Sequence, residues 1–259
     1  MGQATMSNHS RDSIESKLDF ILADRPKFHR GELEIMRPFT ADESFLPKAK
    51  AERIAESGPV FYGIGEAATR FIFSSVEEGM HTLEVGLGMT TLAFTLKGAN
   101  HICITPFQSE IDAIKEYAEK HAIDMSRTTF VCESSDTYLV RCTHQNLDVV
   151  LIDGKHAFPF PILDWFYTAD RLKRDGLMII DDVHLKTVRI LKDFMDSDPR
   201  WDRAAGFDEK SFAYRKLADS VHDVAWHMQP YAFEGQNMHK LKKATTRAID
   251  YMRDGLMRK

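Results

Sequence analysis

From about residue 60 to residue 217, short apolar or β-branched runs alternate with longer segments whose apolar residues recur every three or four positions. The short runs His81–Val85, His101–Thr105, Thr128–Cys132, Leu147–Asp153 and Gly176–Asp181 read as strands. The longer segments Gly65–Val76, Thr90–Lys97, Ser109–His121, Pro161–Arg174 and Leu185–Met195 read as helices. The apolar run within Leu147–Asp153 is nearly continuous, which predicts a strand covered on both faces. Ser109, with Asp112 three residues on, is expected to cap its helix, which should bury Ile111, Ile114, Tyr117 and Ala118. Regular strand–helix alternation implies a parallel, doubly wound α/β sheet. Trp201 to Phe207, a turn at Asp208–Lys210, and Ser211 to Leu217 then read as a closing hairpin.

The flanks follow other patterns. Residues 1–10 are polar and are expected to lack structure. Asp12 to Ala23 carries Ile14, Leu18, Ile21 and Leu22 at helical spacing, and Pro26 ends it. Residues 25–58 mix charges with Leu33, Ile35, Met36, Phe39 and Phe45 without a period. Lys240–Lys259 holds seven Lys or Arg against Asp250 and Asp254, the composition of a solvated basic helix. The expected organisation is an N-terminal helical extension over 1–59, a core domain over 60–218 and a basic helical extension over 219–259.

Composition narrows the class. A 43% hydrophobic and 28% charged chain of 259 residues is an ordinary globular one, and a net charge of −5 gives no support to a nucleic-acid binder. No apolar run is long enough to span a bilayer and no signal-peptide core is present, so no membrane association is expected. Cys103, Cys132 and Cys142 are odd in number and lack metal spacing, which fits reduced thiols in a cytoplasmic protein. Helices flanking the core at both ends are compatible with a homodimer.

The candidate chemistry centres on Leu83-Glu84-Val85-Gly86-Leu87-Gly88-Met89-Thr90-Thr91. A strand, a Gly-x-Gly turn and a helix form a cradle in which the backbone turns sharply and helix N–H groups can face a polar ligand. The dinucleotide fingerprint needs a third glycine where Thr91 stands. Glu84 followed by Gly-x-Gly instead resembles motif I of class I S-adenosylmethionine (SAM)-dependent methyltransferases. Parallel strands that finish in an antiparallel hairpin are that family's arrangement, a Rossmann-like seven-stranded sheet.

The resemblance implies roles for residues at the strand ends. Glu84, Gly86, Gly88 and Thr90 would line the cofactor's methionine half. Thr105 stands where the family has a ribose-binding acid, with Gln108 nearby. Ser134 and Ser135, within Glu133-Ser134-Ser135-Asp136, resemble the adenine-edge segment. Asp153 ends one strand and Asp181-Asp182 end the next, 28 residues on from the first to the second carboxylate. Adjacent parallel strands lie about 5 Å apart, so these carboxylates should crowd together, and a cation between them would relieve the repulsion. Oxygen donors of this kind suit Mg²⁺.

Asp153 with Asp181-Asp182 resembles the metal site of cation-dependent O-methyltransferases of the catechol type. Ile152-Asp153-Gly154-Lys155-His156 is similar to the group that includes macrocin O-methyltransferase. The alternative is that Asp153 and Asp181 line the SAM site or cap helices without metal. Imidazole, with an ordinary pKa of about 6.5, makes His156 the expected base for a small-molecule hydroxyl. Lys155 is the alternative base, and His184 a further ligand or base. Phe158, Pro159, Phe160 and Trp165 are expected to wall the substrate pocket. The rival readings are an NAD-dependent oxidoreductase on a similar sheet and a non-catalytic methyltransferase-like binding protein.

Overall fold

A computed structural model of the chain describes residues 8–29 and 61–233. The expected irregular extension around Leu33–Phe45 and the expected basic helix Lys240–Lys259 lie outside the described residues. Two compact units are present, Met1–His222 and Asp223–Lys259. In the second, the described residues form two 3₁₀ turns, Trp226–Met228 and Pro230–Phe233.

The first unit is built on one seven-stranded sheet in the order β3-β2-β1-β4-β5-β7-β6. Its strands are β1 (His81–Val85), β2 (Asn100–Thr105), β3 (Thr128–Cys132), β4 (Leu147–Ile152), β5 (Leu172–Ile180), β6 (Trp201–Phe207) and β7 (Ser211–Lys216). The pairs β1–β2, β1–β4, β2–β3 and β4–β5 are parallel, whereas β5–β7 and β6–β7 are antiparallel. The doubly wound sheet and its closing hairpin are therefore as the hydrophobic pattern implies. The described α-helices are α1 (Asn8–Asp24), α2 (Glu66–Ser75), α3 (Met89–Leu96), α4 (Gln108–Lys120), α5 (Ser135–Arg141), α6 (Phe160–Ala169) and α7 (Lys186–Ser197). None is long and apolar enough to cross a membrane.

Alternation along each strand sends successive side chains to opposite faces. Leu83, Val85, Ile102, Ile104, Val150, Ile152, Met178 and Ile180 join one buried cluster with Trp165 and Ala169 of α6 and Val188, Leu191 and Met195 of α7. Val149, Leu151, Leu177 and Ile179 face the other way and pack with Ala68 and Ile72 of α2 and Phe94 of α3. Cys103 packs on that side with Leu92, with Ile111 and Ile114 of α4, and with Leu18 and Ile21 of α1. Burial of each such large aliphatic side chain contributes about 1.5–3 kcal/mol.

Several local expectations are corrected. Helix α1 begins at Asn8, inside the segment expected to lack structure, because an established helix adds one hydrogen bond per residue beyond its apolar stripe. Helix α4 begins at Gln108 with Phe107 at its N-cap and no side-chain cap; the Gln108 amide donates to Asp112 at 2.8 Å instead. The turn after β3 carries helix α5, whose seven residues are too few to display a period. Helix α6 stops at Ala169, and β5 begins at Leu172 rather than Gly176. Lys173, Arg174 and Asp175 of that strand are exposed, so their polarity reads like a helix tail; Lys173 reaches back to Asp148 at 2.7 Å.

Asp164 on α6 is buried, and neither carboxyl oxygen meets a hydrogen-bonding geometry with a described residue. Burial raises it to about 7, with the nearby Ser135 side chain pulling slightly the other way. A carboxyl held above its unfolded pKa stabilises the fold only while protonated, and that contribution is lost as pH rises through about 7. Asp164→Asn should therefore match the native chain near pH 4 and exceed it in stability at pH 8, by about 2–4 kcal/mol. Urea denaturation across this pH range measures the difference, and a gap that does not widen with pH refutes the assignment.

Candidate functional site

The carboxyl end of β1 is organised from beneath by Glu84, which is 1% exposed. Its carboxylate accepts the Thr90 hydroxyl at 2.8 Å, the Thr91 hydroxyl, and the His101 ring at 3.1 Å. A carboxylate only accepts, so His101 Nε2 carries the hydrogen. The other ring nitrogen lies 2.8 Å from the Thr82 hydroxyl, and the ring stacks on Phe94. Thr91, where a dinucleotide site has glycine, also accepts the Gly88 N–H at 3.1 Å. The start of α3 is thus tied to β1 through side chains.

The two glycines of the turn have different reasons to be there. Gly86 has φ +101°, and a Cβ on it would collide with the Asp153 carbonyl. That approach is fixed by Asp153 N–H donating to the Val85 carbonyl at 2.9 Å, while Gly86 N–H donates to Ile104 at 2.9 Å. Gly88 is extended (φ −171°), a conformation open to any residue. Its nearest neighbours to an added Cβ are the Tyr62 carbonyl at 3.9 Å and the Thr90 hydroxyl at 4.0 Å, which leaves room beside the helix start.

At the end of β2, Thr105 is buried and its hydroxyl donates to Glu110 at 2.7 Å. The other Glu110 oxygen lies 2.9 Å from His29 Nδ1. An acid in the first turn of α4, five residues later, thus stands beside the strand end that Thr105 closes. Glu110 lies outside the residues expected from the sequence; its signal is an acid near the N-terminus of the helix that follows β2, where an anion is favoured. Gln108 is occupied with Asp112 and does not join this group. Beyond β3, the Ser134 hydroxyl donates to Asp136, and Ser135 is buried at the start of α5.

The ends of β4 and β5 bring together Asp153, His156 and Asp182, which can each offer a ligand atom within 4.8 Å of the others. His156 Nε2 lies 2.9 Å from Asp182 Oδ2, and the Thr187 hydroxyl donates to the His156 carbonyl at 2.5 Å. Asp181, expected to complete the acidic set, is 1% exposed and accepts the Ser211 hydroxyl from β7. Lys210 of the β6–β7 turn places Nζ 3.2 Å from Asp182 and 3.5 Å from Asp181. His184 Nδ1 is 3.6 Å from Asp182, and the Lys155 ammonium lies 3.8 Å from the centre of the Phe160 ring. Trp165, expected at the pocket wall, packs in the core, whereas Phe158 is exposed.

The electrostatics divide these acids. Burial, then Asp181 and Asp182, push Asp153 well above the usual carboxylate range. Burial alone would also raise Asp182, but the His156 ring and the Lys210 ammonium outweigh it and bring it to about 2. Burial works against the Lys210 charge; the neighbouring carboxylates of Asp181 and Asp182 prevail and raise it. Asp182 also holds a left-handed backbone conformation, φ 57°, uncommon for a residue with a side chain.

The β1–β4 approach gives a direct test. Gly86→Ala adds a methyl against a carbonyl at a left-handed position and should destabilise the chain by about 2–4 kcal/mol, read from urea unfolding. Gly88→Ala, at an extended and uncrowded position, should cost less than about 1 kcal/mol. Equal losses at the two positions would contradict this division.

Residues 83–183 match a family model described as a methyltransferase domain. No curated protein matches the chain in sequence. Among solved structures, a protein from Corynebacterium glutamicum is 12% identical and aligns over 73% of this chain and 96% of its own, with a TM-score of 0.54. A cofactor-bound protein from MTB is 13% identical over 73% of this chain and 96% of its own, also at 0.54. An O-methyltransferase from Bacillus cereus in complex with S-adenosylhomocysteine (SAH) is 12% identical over 72% of this chain and 96% of its own, at 0.50. At such identities the likeness is one of fold. The family match is to the segment that carries the glycine turn and the strand ends, and the structural likeness is to the fold.

Proposed function

We propose that the chain transfers the methyl group of SAM to a hydroxyl oxygen of a small molecule. One observation carries this reading. The segment that matches the methyltransferase domain runs from Leu83 to Val183 and contains the glycine turn, Glu110 and the Asp153–His156–Asp182 group. All of them lie at or just beyond the carboxyl ends of parallel strands, where open α/β sheets bind ligands.

Bound SAM supplies an electrophilic methyl group; the rest is the work of side chains. The open side of Gly88 and the start of α3 suit the donor's polar end. Glu110, oriented by Thr105 and His29, offers charged acceptors to a vicinal diol. Ionised Asp182 accepts from His156 Nε2, so the Nδ1 lone pair is the one that takes the hydroxyl proton. This pairing resembles the carboxylate–imidazole half of a catalytic triad, in which the carboxylate fixes the tautomer.

The expected Mg²⁺ fits this group poorly. Asp153, Asp182 and His156 are near enough to serve as ligands, but Asp182 is already paired with His156 and with the Lys210 ammonium. No step is assigned to a metal. The proton transfer rests on His156 and the charge balance on Lys210.

Isothermal calorimetry with SAH and with NAD⁺ tests the donor reading. SAH should bind and NAD⁺ should not; the reverse result would replace the methyltransferase reading with a dehydrogenase one. Glu110→Gln should weaken SAH binding by about 10- to 100-fold, the worth of a charge-assisted hydrogen bond. Unchanged affinity would remove Glu110 from the donor site.

A further inference from the structure

Asp153, Asp181 and Asp182 converge from two neighbouring strand ends, and like charges so placed need a proton, donors or a cation among them. Two consecutive residues, the last of the β6–β7 turn and the first of β7, meet that need. The Ser211 hydroxyl donates to Asp181 Oδ1, while Lys210 Nζ stands 3.5 Å from Asp181 Oδ2 and 3.2 Å from Asp182 Oδ1.

The root of the lysine is fixed. Lys210 N–H donates to the Phe207 carbonyl at 2.9 Å, and the Lys210 carbonyl accepts the Val183 N–H at 2.9 Å. The turn is therefore stitched to the residue that follows Asp182. Asp208 and Glu209 take left-handed conformations, φ 49° and 52°, to make that turn. The Lys210 side chain is about one-third exposed at 36%, so its stem is partly packed and the ammonium does not hang free in water.

We propose that Lys210 is the chain's own counter-cation for the acidic strand ends and excludes a resident divalent ion from them. A divalent ion on Asp153 and Asp182 would have to displace the ammonium from Asp182 and break the 2.9 Å pair between Asp182 and His156. A donor set that suits Mg²⁺ by residue type is thus satisfied from within. Lys210 is a positioning residue: it holds Asp182, which holds His156. The inference concerns the cation of the site and does not depend on the identity of the methyl donor.

The test is titration of the chelator-treated full-length chain with Mn²⁺, following free Mn²⁺ by electron paramagnetic resonance, with Mg²⁺ as competitor. Lys210→Met keeps the stem and removes the charge, and Lys210→Gln serves if the first variant does not fold. The native chain should bind Mn²⁺ at least about tenfold more weakly than the charge-free variant, since a nearby positive charge is removed. Asp153→Asn in the variant background should abolish the gain. Native binding as tight as the variant's, or no gain in either variant, overturns the proposal. SAH calorimetry on the same samples reports separately on the donor reading, whose failure would leave the Mn²⁺ comparison standing.

Discussion

The buried carboxylate of Glu84 is the constraint on which the candidate site depends. An ionised group taken out of water must be compensated by hydrogen bonds or it forces the structure apart. Here Thr90, Thr91 and His101 supply them, and each comes from an element the site needs in place. The threonines belong to the first turn of α3 and the histidine to β2. Meeting the needs of one side chain therefore fixes the start of the helix and the neighbouring strand around the glycine turn. The same arrangement explains how Thr91 substitutes for a glycine. The α3 start is fixed by a hydroxyl bridge and needs no bare backbone contact.

A second layer of order comes from stitching between strand ends. Asp153 N–H binds the Val85 carbonyl, and Asp181 N–H binds the Ile152 carbonyl at 3.1 Å. These bonds carry the sheet register one residue past β4 and β5 and deliver Asp153, Asp181 and Asp182 to one neighbourhood. The cost is mutual repulsion, and it is divided unequally. Asp153 is pushed toward its neutral form, Asp182 stays charged beside His156 and Lys210, and Asp181 is sheltered by Ser211.

Some of this was legible in the chain. The ranges His81–Val85 and Thr128–Cys132 are reproduced to the residue, because a short β-branched and apolar run bounded by turn residues reads as a strand. The crowding of Asp153 with Asp182 followed from consecutive parallel strands lying side by side. Other features left no local trace. Glu110 reaches Thr105 across a turn and His29 across 81 residues of chain. The start of β5 was hidden because Lys173, Arg174 and Asp175 face solvent and carry no apolar signal.

The chain by itself determined the doubly wound sheet, the turn at Gly86 and the line of carboxylates at the strand ends. Periodicity and short-range backbone conformation are local properties, and local properties are written in sequence. Only the tertiary structure decided which partners those carboxylates meet. Lys210 lies 28 residues from Asp182 and on an antiparallel hairpin, and it reaches the acids because β7 pairs with β5. Charge compensation acts through space, between groups whose separation along the chain says nothing of their distance, and so it waits for the fold.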